Sequence, residues 1–81
     1  MRVDFHTVLE RYVEKQRRAY SIEVTADVEE GVGYERFALV TPFVKVHKVV
    51  MDNQVLEPPD MVLELTPDEV IALEPEALRR L

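Results

Sequence analysis

Residues 20–51 read YSIEVTADVEEGVGYERFALVTPFVKVHKVVM, and this stretch decides the fold. In its first part apolar residues occupy every second position, and polar residues lie between them. The apolar positions are Tyr20, Ile22, Val24, Ala26 and Val28. A period of two is typical of a β-strand with one buried face and one face in water. We therefore expect a long strand whose apolar side faces the core.

A hairpin is predicted at Gly31-Val32-Gly33, which holds the only two glycines of the chain. Glycine adopts positive φ at little cost, as tight hairpin turns require. A loop centred between the first two of these residues sets Asp27 opposite Arg36 and Ala26 opposite Phe37. This register pairs opposite charges on the solvent-exposed face and apolar residues on the core face.

Phe43 to Met51 is predicted to form a third strand after a bend at Pro42, because proline cannot donate a ladder hydrogen bond. Regular alternation puts Val44, Val46 and Val50 on one face with Lys48. The opposite face then carries Phe43, Lys45, His47, Val49 and Met51. Neither face is wholly apolar, which predicts partial cover on both sides, for instance by the helix on one and by a partner or a terminal segment on the other.

An N-terminal helix is predicted over residues 4–19. Its apolar residues recur at the three-and-four spacing of a helix with one buried stripe. They are Phe5, Val8, Leu9, Tyr12 and Val13, and the basic residues that follow near the helix end are Lys15, Arg17 and Arg18. Cations at that end are favoured by the helix dipole.

A short C-terminal helix is predicted after Thr66-Pro67-Asp68-Glu69. These residues form a capping box with a hydroxyl at the N-cap, proline at the first helical position and glutamate at the third. Pro75 predicts a kink or a restart of this helix. Before it we expect a turn at residues 52–54, a short strand at 55–57, an extended segment at Pro58-Pro59 and a last strand at 61–65.

The resulting fold class is a single α+β domain over residues 1–81. In it an N-terminal helix packs on a mostly antiparallel sheet of four or five strands, and a short C-terminal helix completes the two layers.

The chain has no cysteine, which excludes disulfides and thiolate ligands. It has no apolar run near the length of a membrane span and an acid at Asp4 where a signal peptide is apolar, so we expect a cytoplasmic protein without a membrane partner. The absence of tryptophan and cysteine and the abundance of valine, glutamate and arginine fit a thermophile.

The function predicted from this fold is a non-enzymatic protein-interaction or regulatory module that forms a homodimer. A chain of 81 residues buries a modest core, and two short helices leave apolar side chains of the sheet uncovered. The predicted interaction surface is the mixed face of the third strand, which holds Phe43, Lys45, His47, Val49 and Met51. A sheet edge offers a further way to add a partner strand.

Two alternatives remain open at this point. A nucleic-acid binder would use a basic stripe of Arg11, Lys15 and Arg18 on the N-terminal helix together with the lysines of the third strand. The net charge of −6 argues against a large phosphate-binding surface. A small enzyme or ligand binder would need a pocket between subunits beside His47 or Tyr20.

No catalytic, cofactor-binding or metal-binding residue is assigned from the sequence. His6 and His47 have no third ligand at a recognised spacing. Gly31-Val32-Gly33 lacks the lysine of a phosphate loop, and no nucleophile motif surrounds Ser21. The acidic residues around the first hairpin are interpreted as a solvated strand face that could also dock a basic partner; they are Glu23, Asp27, Glu29, Glu30 and Glu35.

Overall fold

A computed structural model describes the backbone of residues 1–56 and 61–80, and the side chains of these residues apart from 30, 34 and 35. Over these ranges the chain forms six strands followed by one helix. The strands are β1 (Arg2–Val13), β2 (Gln16–Gly31), β3 (Tyr34–Leu39), β4 (Phe43–Met51), β5 (Gln54–Leu56) and β6 (Val62–Glu64), and the helix is α1 (Pro67–Leu78).

The strand β2 is the centre of one antiparallel sheet. On one side it pairs with β1 from Gln16 to Asp27. On its other side β4 lies beside the first part of β2, and β3 lies beside the last part. β4 in turn pairs with β6 near its start and with β5 near its end. The sheet therefore has β1 as one complete edge.

The side chains of β2 divide the sheet into two faces. Its core face carries the five apolar residues of the predicted alternation, and all of them are buried, which confirms that prediction: Tyr20, Ile22, Val24, Ala26 and Val28. The opposite side, called the outer face here, carries the residues between them. The helix α1 packs on the core face, where its Leu73 and Ala77 are buried.

The helix begins at the predicted capping box. The Thr66 hydroxyl accepts a hydrogen bond from the Glu69 N–H at 3.3 Å, and the Thr66 N–H donates to Glu69 Oε1 at 2.8 Å. These two bonds satisfy donors that a helix start leaves unpaired. The helix then continues through Pro75 to Leu78.

Three contacts fasten the C-terminal segment to β1. They are the Arg80 guanidinium 4.4 Å above the Phe5 ring, the Thr7 hydroxyl donating to Glu76 at 2.9 Å, and the ion pair of Arg11 with Glu69 at 2.6 Å. The contacts run in opposite order along the two segments, so α1 lies antiparallel to β1. These side chains link α1 to β1, while the helix itself lies close to β2 and β3 on the core face.

The predicted N-terminal helix is wrong, since residues 2–13 form β1. The same residues carry a second periodicity, in which Val3, Phe5, Thr7 and Leu9 alternate on the core face opposite β2. Their β-branched and aromatic side chains favour a strand. Residues 2–13 adopt the strand pattern because they pair with β2. The sheet therefore has six strands rather than the predicted four or five.

The hairpin of β1 and β2 was not predicted because the residues of its turn are unusual for that turn type. Glu14 and Lys15 both have positive φ, 52° and 66°, as the two-residue type I′ hairpin turn requires. In sequences this turn type is usually recognised by asparagine followed by glycine, and neither residue occurs at positions 14 and 15. The equivalent turn between β4 and β5, with φ of 51° at Asp52 and 59° at Asn53, was predicted from its composition and is confirmed.

Replacing Glu14 with asparagine and Lys15 with glycine is expected to raise the free energy of unfolding by about 1 kcal/mol, because side chains with a Cβ cost energy in the left-handed region. Urea unfolding followed by circular dichroism measures the change. The matched control combines Glu14→Gln with Lys15→Ala, which removes the same two charges but keeps a Cβ at residue 15. A gain of equal size in that control would contradict the conformational explanation.

The glycine hairpin is confirmed, but its register differs from the prediction. Arg36 pairs with Glu29, and Phe37 pairs with Val28, because the loop consists of Val32 and Gly33. The shift is an even number of residues, so the described side chains of this hairpin keep their predicted faces. Phe37 accordingly packs against the core.

The strand β4 starts just after Pro42 as predicted, but a β-bulge interrupts its alternation. Val46 pairs with Ile22 and Lys48 pairs with Ser21, which leaves His47 as an extra residue. His47 and Lys48 are both exposed, and Val49 returns to the core. The face assignments predicted beyond His47 are therefore wrong.

Part of the C-terminal half falls outside the described residues. They are residues 57–60, which include the predicted end of the short strand and the predicted extended segment at Pro58-Pro59, and residue 81. The predicted strands on either side of that gap are present as β5 and β6. Within the described ranges α1 is the only helix, and its 12 residues are fewer than the roughly 20 that a membrane-spanning helix needs.

Candidate functional site

The outer face brings both histidines of the chain together with a glutamate. His6 lies on β1, Glu23 on β2 and His47 on β4. His47 Nε2 is 2.9 Å from Glu23 Oε2, and His6 Nε2 is 3.9 Å from the same oxygen. The two imidazole rings meet edge to face with their centroids 5.2 Å apart. We call these three residues the His-Glu-His cluster.

The sheet register holds the cluster in place. His6 is the direct cross-strand partner of Glu23. On the other side of β2, the bulge leaves His47 between the residues opposite Ser21 and Ile22, and its ring reaches the Glu23 carboxylate. Bulges commonly re-aim a side chain next to a functional site.

The cluster is open to solvent. The side chain of His6 is 72% exposed, and those of Glu23 and His47 are each 41% exposed. Lys45 is the cross-strand partner of Glu23 on the β4 side. A shallow depression of about 210 Å³ adjoins the cluster, and its lining includes Glu23, Thr25, Phe43 and Lys45.

The sequence did not predict this cluster, because its three residues are far apart in the chain. No spacing rule links His6 with His47, and Glu23 was interpreted as one member of a solvated acidic face. A correct assignment of β1 as a strand paired with β2 would have placed His6 beside Glu23. The bulge in β4 had no glycine to mark it.

A second candidate site is the free edge of β1. Met1 and Val28 exchange both backbone hydrogen bonds, at 2.6 and 2.8 Å, and this pattern alternates along an antiparallel pair. The backbone groups that point away from β2 therefore belong to Arg2, Asp4, His6, Val8, Glu10 and Tyr12. Within residues 1–56 and 61–80, no strand pairs with this edge.

The predicted interaction surface is divided between the two faces. Phe43, Lys45 and His47 lie on the outer face, where Phe43 is 54% exposed. Val49 belongs to the buried core, and Met51 is half-buried. The bulge separates the two groups, so the set does not form one continuous surface.

The predicted basic stripe does not form, because the helix that would carry it is absent. Arg11 lies on the core face and pairs with Glu69 under α1. Lys15 lies in the turn, and Arg18 is the cross-strand partner of Arg11. The three cations are thus divided among an ion pair, a loop and a partly buried site.

The pair of Arg11 and Glu69 is the best-sheltered ion pair among the described residues. Its side chains are 25% and 16% exposed, and two hydrogen bonds of 2.6 and 2.8 Å join the guanidinium to the carboxylate. The hydrogen bond from Arg11, more than any other contact, lowers the pKa of Glu69 below its usual range. The same bond raises the pKa of Arg11. The pair acts as a structural link between β1 and the start of α1.

Asp27 and Glu29, near the glycine hairpin, are exposed to solvent in agreement with the prediction, whereas Glu23 of the same predicted set belongs to the His-Glu-His cluster. Asp27 pairs with Arg2 at 3.2 Å, and Glu29 lies 3.8 Å from Arg36. The side chains of residues 30 and 35 lie outside the description. A cavity of about 620 Å³ opens beside this hairpin, and its lining contains neither His47 nor Tyr20.

Comparisons of the chain with protein-family models, with curated proteins and with solved structures found no match. The two features of the molecule that indicate a function are the His-Glu-His cluster and the free edge of β1.

Proposed function

We propose that the protein is a non-enzymatic interaction module that self-associates through the free edge of β1. The observation that carries the proposal is a 12-residue edge strand whose outward backbone groups have no partner strand within residues 1–56 and 61–80. An exposed edge strand is a template for pairing with a further strand, and natural proteins block such edges with charged side chains, prolines, bulges or covering segments. β1 contains no proline, its register with β2 is unbroken, and α1 lies on the core face.

The occupant proposed for this edge is a second copy of the chain, because the edge is complementary to itself. In an antiparallel pair with Val8 on the two-fold axis, the two Val8 side chains meet. His6 then lies opposite Glu10 of the second copy, and Asp4 lies opposite Tyr12. Val8 is 60% exposed in the single chain, so this contact would bury apolar surface. The register contains no pair of like charges, which favours a symmetric dimer.

Substitution of Val8 by lysine is expected to convert the dimer to a monomer, because two like charges would then meet on the axis. Val8→Glu should do the same. A mixture of the two variants should restore a dimer, since lysine then faces glutamate. Light scattering coupled to size-exclusion chromatography at several protein concentrations measures the mass in each case.

The control is Ile71→Lys, which makes the same change in charge at an exposed position of α1 and should leave the dimer intact. A wild-type chain that stays monomeric at all concentrations would refute the self-association. A dimer that survives Val8→Lys would refute the edge of β1 as its contact.

The outer-face residues Phe43, Lys45 and His47 remain a predicted binding surface beside this edge. The cytoplasmic location and the thermophilic source likewise remain predictions from composition.

A further inference from the structure

We propose that His6, Glu23 and His47 bind one divalent transition-metal ion, with zinc as the test ion. The proposal does not depend on the self-association, because each chain carries all three ligands. It adds a ligand-binding role to the outer face of the sheet.

The distances within the cluster suit a metal ion. One nitrogen from each imidazole and one carboxylate oxygen all lie within 4.8 Å of one another. Zinc bonds of about 2.0–2.1 Å in a tetrahedral site place neighbouring ligand atoms roughly 3.3 Å apart. The pair of His47 and Glu23 is already closer than this, at 2.9 Å, and His6 lies 3.9 Å from the same carboxylate oxygen, so binding requires His6 to move toward the other two ligands. The exposed His6 side chain has room for that movement.

The donor set determines the class of ion. Two imidazoles and one carboxylate suit zinc and its first-row neighbours, whereas magnesium and calcium prefer oxygen ligands alone. Three protein ligands leave at least one position to water, as in zinc sites that are not purely structural. The exposure of the cluster gives solvent direct access to that position.

The paired strands hold the three ligand residues close together before any metal binds. All three ligands project from paired strands of one sheet, so metal binding has to order side chains alone. Glu23 lies on the central strand, and the bulge holds His47 beside it. The hydrogen bond between these two side chains would be replaced by their shared coordination of the ion. Lys45, opposite Glu23, is a positive charge that opposes the cation, so its removal should tighten binding.

Isothermal titration of the full chain with zinc chloride tests the proposal, together with thermal unfolding. We expect one ion per chain and a higher unfolding temperature of the wild type with zinc, because the ion binds the folded state. His6→Gln, Glu23→Gln and His47→Gln should each weaken binding by more than about 100-fold, beyond the roughly 10- to 100-fold cost of losing an outer-shell partner. Lys45→Gln should strengthen binding.

The matched control is Asp27→Asn, which removes one negative charge from the same strand and the same face at a distance of four residues. Its zinc affinity should stay within about a factor of two of the wild type, and circular dichroism should report an intact fold for every variant. Absence of zinc binding by the wild type at millimolar concentration would overturn the proposal. Equal affinities for the wild type and the His47→Gln variant, or one ion per two chains, would also overturn it.

Discussion

Ile22→Ala is expected to lower the free energy of unfolding by about 2 to 5 kcal/mol, the range found for large-to-small changes in well-packed cores. Ile22 is fully buried near the middle of β2, between Thr7 of β1 and Val46 of β4. Three strands therefore surround the cavity that alanine would leave, and paired strands relax little. Total stabilities of about 5 to 15 kcal/mol are usual for single domains, so the variant would lose a large share of its stability.

Urea unfolding monitored by circular dichroism measures this effect. The matched control is Ile71→Ala, the same substitution at an exposed position of α1, which should change the stability by less than about 0.5 kcal/mol. A loss below about 1 kcal/mol for Ile22→Ala would contradict the central position of β2 in the core.

Arg11→Met is expected to cost about 2 to 3 kcal/mol, because it leaves the sheltered Glu69 carboxylate without its guanidinium partner. The loss should be smaller than for a fully buried pair, since water still reaches part of both side chains. The control is Arg2→Met, which breaks the exposed pair with Asp27 and should cost no more than about 1 kcal/mol. Equal costs at the two positions would show that shelter under α1 adds nothing.

The same pair predicts a dependence of stability on pH. The hydrogen bond from Arg11 lowers the pKa of Glu69 in the folded state relative to the unfolded state. Its stabilisation is therefore complete above the ordinary glutamate range, near pH 4 to 5, and is lost as the pH falls through the lowered pKa of the folded state. Unfolding free energies measured between about pH 7 and pH 3 should show the gap between the wild type and Arg11→Met shrinking on the acid side. A gap that stays constant or widens there would contradict the assignment.

The locally encoded parts of the fold were predictable. The alternation from Tyr20 to Val28, the turn at Gly31-Val32-Gly33 and the bend at Pro42 each depend on residues close together in the chain. The capping box at Thr66 is local in the same sense. For these elements backbone preference and hydrophobic pattern agree, and the structure contains them.

The sequence of residues 2–13 fits two competing patterns, that of a helix and that of a strand. Phe5, Leu9 and Tyr12 match a helical stripe, whereas Val3, Phe5 and Thr7 match a strand. Pairing with β2 resolves the ambiguity, because it satisfies the backbone of β1 and buries its core face at the same time. The positive φ of Glu14 and Lys15 is part of the cost of that hairpin.

The alternation of β2, the glycine and Asp-Asn turns and the start of α1 follow from steric and hydrogen-bonding preferences of neighbouring residues, so they could be predicted from the chain alone. Long-range pairing places residues 2–13 in the sheet, sets His47 in a bulge, and brings His6, Glu23 and His47 together. Contacts between distant residues depend on strand register, and register is set by the packing of the whole sheet rather than by any one segment.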